Sequence, residues 1–135
     1  MRRVRREEGV VLVEFALVAG LLLLLCFGMI ELGLVVNAKL VLAAAVREGA
    51  RRAAVEGGAT AAVRDKIEEQ LRLGNIDPAE VEIRIVPDRA SYGATIRVAL
   101  EYKYPILLPL LQSVFGRSLS LQAEIVTRSE RVRGP

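Results

Sequence analysis

A long apolar segment near the N-terminus constrains this chain more than any other feature of its sequence. Between Glu14 and Glu31 lie sixteen residues, FALVAGLLLLLCFGMI, without a charged or strongly polar side chain. With its flanks the apolar segment covers residues 10–36 and tolerates only those two glutamates. A helix of that length is ~40 Å long at ~1.5 Å per residue, enough for a hydrocarbon core of ~30 Å. The sequence therefore predicts one transmembrane helix.

Two other interpretations of this segment fit less well. A core helix of a soluble protein would show polar residues every three or four positions, and residues 21–25 are all leucine. A cleaved secretory signal would have an apolar region of roughly 7–15 residues followed by a small-x-small cleavage site. Here the apolar segment continues without a break into KLVLAAAVREGARRAA, which is helix-forming sequence.

Basic residues flank the segment on its N-terminal side. The first nine residues contain two glutamates and four arginines, namely Arg2, Arg3, Arg5 and Arg6. Arginines at one end of a membrane span keep that end in the cytoplasm. We therefore expect a cytoplasmic N-terminus and an external C-terminal part.

Charge and composition argue against several classes of function. The first nine residues supply +2 of the formal net charge of +3, so the remainder is nearly balanced and we expect no nucleic-acid partner. The chain has no His and one cysteine, Cys26, inside the apolar segment. Without a metal-ligand cluster or a Gly-rich phosphate loop, we expect no enzymatic activity, no metal, no cofactor and no small-molecule substrate.

The first helix is expected to begin near Val10 and to continue past the membrane to about Val55. Four residues form a charged stripe along it: Arg47, Glu48, Arg51 and Arg52. We expect Glu48 to pair with Arg52, four residues later. The other side should pack against a sheet or a helix through Leu40, Ala43, Val46, Ala50, Ala53 and Ala54.

A second, shorter helix should follow. Residues 57–58 are both glycine and break the first helix, and Thr60 is a suitable N-cap for a helix that ends at Leu73. Its apolar face consists of Val63, Ile67 and Leu71. Gly74 or Asn75 should end it in a left-handed conformation.

The period of apolar residues changes to two from Val81 onward. Alternation over residues 81–86, 95–104 and 119–126 predicts three strands with one solvent-facing side, the first two joined by a turn at residues 87–93. The predicted fold class is α+β: a long N-terminal transmembrane and amphipathic helix, a second short helix, and a small three-stranded antiparallel sheet.

The second connection, PILLPLLQSVFGR, is unusually apolar for a loop. We expect a short helix that is buried as a cover over the sheet edge, the usual fate of such a segment. The alternative is contact with the membrane surface or with a neighbouring subunit.

The predicted organisation has four parts. Residues 1–9 form a basic leader, residues 10–56 the transmembrane and extended helix, residues 57–128 an external α+β domain, and residues 129–135 a flexible tail.

The carboxylate of Glu14 is costly at the head of an apolar helix and needs an explanation. A protease facing the cytoplasm could cut after Gly9, which would give Val10 a new α-ammonium group about one helical turn from Glu14. Pairing with this amine, or with that of a neighbouring subunit, would offset part of the ~2.5–3.5 kcal/mol insertion cost of a mid-helix carboxylate. The simpler alternative is that Glu14 only extends to the membrane interface.

The N-terminal motifs together resemble a known signal. The basic leader, Gly9, four apolar residues, Glu14, Phe15 and the long apolar helix resemble the class III signal of type IV prepilins and pseudopilins. VEFALV, followed by IELG and AAAVREGARRAA, is more narrowly similar to the TadE-like family, minor pseudopilins of the Tad (Flp) tight-adherence pilus. Ala19 and Gly20 stand where a proline is expected after VEFALV.

This resemblance implies a set of residue roles and partners. Gly9 would be the cleavage glycine of a prepilin peptidase, Val10 the mature N-terminus, and Glu14, with Phe15 beside it, the assembly position. The implied location is the bacterial inner membrane, followed by incorporation into a surface pilus. The implied partners are the peptidase, other pilins or pseudopilins and the pilus assembly machinery. The alternative function is an uncleaved single-pass scaffold whose external domain binds an envelope partner.

Overall fold

The computed structural model describes the backbone of residues 2–131 and the side chains of residues 9–131. The chain divides into two compact units, Met1–Leu34 (unit 1) and Val35–Pro135 (unit 2). The element order is α1 (Arg2–Glu56), α2 (Ala61–Leu73), a 3₁₀ turn (Pro78–Glu80), β1 (Val81–Val86), β2 (Thr95–Pro105), α3 (Pro109–Phe115) and β3 (Ser118–Arg128). The predicted α+β fold class is confirmed.

Unit 1 consists of the apolar part of α1. The helix begins at Arg2, not near Val10 as predicted, because the leader residues continue the helix without a cap or a break. Residues Gly9–Glu56 include a window apolar enough to cross a membrane, with a mean hydropathy of 2.8, and none of that window is buried. The chain therefore does not cover this helix as a soluble core would.

Unit 2 has a core built between the last part of α1, helix α2 and one face of the sheet. From α1 the core receives Ala38, Leu42, Ala45, Val46, Ala50 and Ala53, and from α2 it receives the predicted face of Val63, Ile67 and Leu71. The small side chains of α1 allow a close approach: a Cβ built on Gly49 would lie 2.5 Å from Cγ1 of Ile67. A flat helix face of this kind packs closely on its neighbours.

The side of α1 that faces the core differs from the prediction at two positions. Val46, Ala50, Ala53 and Ala54 are buried as expected, but Leu40 is exposed and Ala43 only half-buried. Leu42 occupies the core in place of Leu40. In a segment where almost every residue is apolar, hydrophobic periodicity does not separate two faces that lie next to each other.

The charged stripe pairs differently from the prediction. Arg51 donates two hydrogen bonds to Glu48, at 2.7 Å and 3.1 Å, while Arg52 pairs with Glu56 at 3.2 Å. The hydrogen bonds from Arg51 lower the pKa of Glu48 below its ordinary value. At this three-residue spacing the guanidinium of Arg51 makes a two-point contact with the carboxylate of Glu48.

Helix α2 begins and ends where the sequence predicts. The hydroxyl of Thr60 accepts a hydrogen bond from the Val63 amide at 3.4 Å, which caps the helix. At the other end Asn75, and not Gly74, has the left-handed backbone, with φ of 61°. Gly74 instead permits close packing against α1, because a Cβ at this position would collide with the side chain of Val41.

The sheet is an antiparallel meander in the order β1-β2-β3. Val81 lies opposite Tyr102 in the first pair, and Thr95 lies opposite Arg128 in the second. The inward residues of the central strand are all buried: Ile96, Val98, Leu100, Tyr102 and Tyr104. The outward face is polar and includes the Arg97–Glu124 ion pair at 2.8 Å. The three predicted strands are confirmed.

The first residues of the predicted tail are held in place. Ser129 is buried, the Glu130 amide donates to the carbonyl of Ala54 at 2.8 Å, and Arg131 donates to the carbonyl of Glu56 at 2.9 Å. Residues 132–135 of that tail lie outside the described residues.

Two glycines end α1 by a close backbone approach. Gly57 and Gly58 have φ of +78° and +134°, and Gly58 forms an antiparallel bridge with Arg89. The Ala90 amide donates to the carbonyl of Gly57 at 2.8 Å. A Cβ on Gly58 would collide with the carbonyl oxygen of Asp88.

We expect Gly58→Ala to reduce the free energy of unfolding by roughly 1–3 kcal/mol or more, because a left-handed backbone strain and a backbone collision occur together. The measurement is the thermal unfolding midpoint of the full chain in detergent. Gly93→Ala is the control, since φ is also positive there at +75° but no heavy atom lies within 4 Å of the added Cβ. An equal loss of stability in both variants would contradict the role of the Asp88 carbonyl.

Candidate functional site

The residues that the sequence singles out all lie on helix α1. Gly9, Val10, Glu14 and Phe15 are consecutive or nearly so on this helix, and each is exposed. Phe15 has 70% of its surface exposed. In the part of the chain that the structure describes, none of these four side chains is packed into the core.

Helical geometry brings Val10 and Glu14 onto the same face. Residues four apart on a helix have Cβ atoms about 5–6 Å apart. If the chain were cut after Gly9, the new ammonium group of Val10 would thus lie one turn from the carboxylate of Glu14. The arrangement allows a charge pair inside an otherwise apolar surface. Phe15 projects from an adjacent direction, about 100° around the axis.

The Gly9–Val10 bond is itself within the helix, which continues on its N-terminal side to Arg2. Among the described residues nothing lies within 4 Å of a Cβ built on Gly9, so none of these contacts requires glycine at this position. The glycine lowers the local helix stability by about 1 kcal/mol relative to alanine. A requirement for glycine here would therefore come from a partner that recognises the leader.

The four leader arginines form the basic end of the helix. The backbone of Arg2, Arg3, Arg5 and Arg6 is part of α1, and their side chains lie outside the described residues. Their predicted role in topology rests on the sequence.

Between Val10 and Ile30, helix α1 is apolar in every direction except at Glu14. Exposed large apolar side chains occur at nearly every position from Val10 to Ile30, including five consecutive leucines. Cys26 is a free thiol on this exposed surface. A helix that is apolar all round requires a membrane or a helix bundle as its environment.

Glu31 is a residue whose surroundings the sequence did not reveal. A carboxylate at the far end of the apolar segment is expected to reach water, but only 5% of the surface of Glu31 is exposed. That expectation is wrong. A buried glutamate normally has hydrogen-bonding or charged partners.

The connection between β2 and β3 also differs from its prediction. The predicted short helix is present as α3, but it has no buried residue. The expected burial over the sheet edge is therefore wrong for α3, where Leu110, Val114 and Phe115 are exposed. Before the helix Ile106 is buried, and Leu108 and Leu111 are half-buried. The two prolines and the lack of acidic residues in the connection were the available signals for an unusual surface.

Comparison with known proteins agrees with the N-terminal motifs. The family model described as TadE-like protein matches residues 9–51, about a third of the chain. The match begins at Gly9 and includes Glu14, IELG and most of the alanine-rich part of α1. Neither the curated proteins nor the solved structures gave a match to this chain. The predicted resemblance is thereby confirmed: residues 9–51 match the model of the TadE-like family, and within the described residues one helix is long and apolar enough to span a membrane.

Proposed function

We propose that the chain is a minor pseudopilin of a Tad/Flp-type pilus. It is stored in the bacterial inner membrane with its N-terminus in the cytoplasm and unit 2 outside. A prepilin peptidase cleaves it after Gly9, and other pilins and the assembly machinery then take it into, or use it to start, a fibre. The role is non-enzymatic and concerns assembly, initiation or adhesion.

The observation that supports this function best is the combination of the family match with the exposed apolar helix. The match begins at the glycine of the proposed cleavage site. The helix that follows is not buried by its own chain and is long enough for a bilayer or a bundle of similar helices. A pilin needs such a helix twice, first in lipid and then in the fibre.

The proposed role of Glu14 follows from the change of environment between these two states. Near the membrane edge, the carboxylate reaches the interface at a modest cost. In the core of a fibre no water is available, so the same carboxylate needs a cation. The ammonium group of Val10 after cleavage, in the same chain or in a neighbouring one, is a cation at the required position.

The uncleaved scaffold is the second candidate function. One observation favours it, since the Gly9–Val10 bond is helical and not in an extended, accessible segment. In that case α1 would be a permanent anchor, and unit 2 would bind an envelope partner. The two functions differ in the fate of the first nine residues.

We expect co-expression with a prepilin peptidase to yield a product that begins at Val10, as measured by intact mass and N-terminal sequencing. Gly9→Ala should reduce this product at least about tenfold, because even a methyl group obstructs a tight subsite (a difference of ~1.4 kcal/mol). Gly20→Ala is a matched control, because it lies in the same helix and its added Cβ also meets no atom within 4 Å. A mature cellular protein that retains Met1 would favour the scaffold.

Glu14→Leu should leave insertion and cleavage intact but abolish incorporation into pili, because it removes the charge that pairs with the new amine. Glu14→Gln should act in the same way, since it keeps the size and loses the charge. The measurement is the amount of the chain in sheared surface fibres relative to the membrane fraction. Leu12→Ala serves as the control on the same exposed segment. Normal piliation by Glu14→Leu would remove the proposed role of the carboxylate.

A further inference from the structure

Strands β1 and β3 form the two edges of the sheet, and within residues 2–131 no third strand pairs with either edge. The sheet order is β1-β2-β3, so only β2 has a neighbouring strand on each side. The main-chain hydrogen bonds of residues 82–86 and 118–128 run to β2. Each edge therefore presents a row of amide and carbonyl groups with which another strand can pair.

The two edge strands lack the features that usually prevent pairing with another chain. Strand β3 has 11 residues and β1 has six, and neither contains a proline, a glycine or a lysine. Both pair with β2 in a continuous register without a bulge. Proteins protect exposed edges with such features, or with charged side chains on the inward face, and both strands are apolar or uncharged on that face. Both edges are therefore suited to strand pairing.

The antiparallel registers place β1 and β3 in common rows across the sheet. Glu82 lies opposite Glu101, which in turn lies opposite Gln122. The same offset relates every residue of β1 to one residue of β3. Strands β1 and β3 run in the same direction, because each is antiparallel to β2. A second copy that continues the sheet without sliding along the strands would thus place its β1 beside this β3, in the same rows, as a parallel pair.

The side chains that would meet in these rows are complementary. Outward from the sheet an amide faces a carboxylate, opposite charges face each other, and two half-exposed valines cover each other. These outward pairs are Gln122 with Glu82, Glu124 with Arg84, and Val126 with Val86 of the neighbouring copy. The inward pairs are all apolar: Leu121 with Val81, Ala123 with Ile83, and Ile125 with Ile85.

Other parallel registers of the same two strands lose this match. A shift by two residues in one direction would place Glu82 beside Glu124, which brings like charges together. A shift by two residues in the other direction would place Val86 beside Glu124. A shift by one residue would turn the inward apolar side chains to the outward face. The chemistry of the two edges therefore selects one register.

Charges just beyond the strands agree with this register. Arg117 precedes β3 and Arg128 ends it, while Asp77 precedes the turn before β1 and Asp88 follows β1 closely; all four residues are exposed. When the register is extended, each arginine is level with an aspartate of the neighbouring copy. The other charged residues at the ends of β1 are level with serines: Glu80 with Ser120, and Arg89 with Ser129.

We propose that the β3 edge of one copy pairs with the β1 edge of a second copy of this chain, as parallel strands in this register. The two partners use different surfaces, so each copy keeps one free edge and the contact can be repeated. A contact of this kind extends one sheet from subunit to subunit. The proposal goes beyond the proposed function, because it concerns unit 2 alone and does not depend on cleavage after Gly9.

The contact is small, since β1 contributes only six residues. Specific interfaces of standard size bury roughly 1,600 Å² in total, and a short strand pair buries less. We therefore expect pairing to be weak between dilute chains and to become measurable when copies are concentrated in one bilayer.

The valine pair provides a direct test. One chain carries Val86→Cys and another carries Val126→Cys, and both carry Cys26→Ser, so that each has a single thiol. The full-length, uncleaved chains, distinguished by an affinity tag, are reconstituted together in lipid vesicles and treated with copper phenanthroline as oxidant. Paired strands lie ~4.8 Å apart, a separation that permits a disulfide between facing side chains. The matched control pairs Val86→Cys with Leu73→Cys, since Leu73 is 75% exposed but lies on α2.

We expect the disulfide between positions 86 and 126 to form at least about fivefold more than the 86–86, 126–126 and 86–73 disulfides, because pairing raises the local concentration of these two thiols. Val86 and Val126 are 61% and 53% exposed, so their replacement does not disturb the core.

A charge exchange tests the register. Adding Arg84→Glu to the first chain, or Glu124→Arg to the second, should lower the yield of the 86–126 disulfide at least about twofold, and both together should restore it. Glu124 also pairs with Arg97 of its own chain. Restoration by a change in the other chain separates the contact between chains from loss of this internal pair.

Three results would overturn the proposal. An 86–126 yield no higher than that of the control would show random collision of the chains. Predominance of the 126–126 disulfide would show a symmetric pair of β3 edges. Failure of the charge exchange to restore the yield would exclude this register. Each result is independent of the N-terminal sequence of the mature chain, so it leaves the proposed cleavage after Gly9 untouched.

Discussion

The exclusion of the first part of α1 from water is the constraint on which the rest of the structure depends. Its apolar side chains surround the helix axis, so no arrangement of this chain alone removes them from solvent. The backbone is satisfied because every interior amide bonds within the helix, which a lipid environment requires. A membrane or an assembly of similar helices would exclude this surface from water, and the proposed function uses both in turn.

The side-chain composition of the continuous helix α1 differs between its two parts. In unit 1 it presents bulky leucines, valines and phenylalanines on all sides. In unit 2 it becomes rich in alanine, with Gly49 and Ala53 placed where Ile67 and the sheet approach it closely. Small residues permit this approach because each missing methyl group brings two backbones nearer. Consequently the same helix supplies both an exposed apolar surface and part of the core of unit 2.

Local patterns in the sequence were sufficient to predict most helices and strands. The cap at Thr60, the face of Val63, Ile67 and Leu71, and the alternation in the three strands each depend on neighbours within a few residues. The glycine pair after α1 was also a reliable signal for the helix end. In such cases the propensity, the apolar period and the turn chemistry all agree, and agreement of this kind makes the prediction secure.

Features that depend on distant parts of the chain were not predictable. The choice of Leu42 over Leu40 for the core depends on what packs against α1, and burial of a charged residue such as Glu31 is rare enough that the sequence did not predict it. The outward orientation of α3 was missed for a different reason. Apolar residues are usually buried by their own chain, and that rule fails when the environment includes lipid or other subunits. The candidate site was recognisable early because its motif is linear.

For the proposed cleavage, the helical state of the Gly9–Val10 bond has a consequence for the timing of maturation. A peptide bond inside a helix is shielded by side chains wrapped around it, so a peptidase reaches the bond only after the local turns open. A stable leader helix would then slow cleavage. The helix would open most easily at Gly9, because glycine is the poorest helix former in the leader. The rate of cleavage would then depend on the sequence of the leader as well as on the amount of peptidase in the membrane.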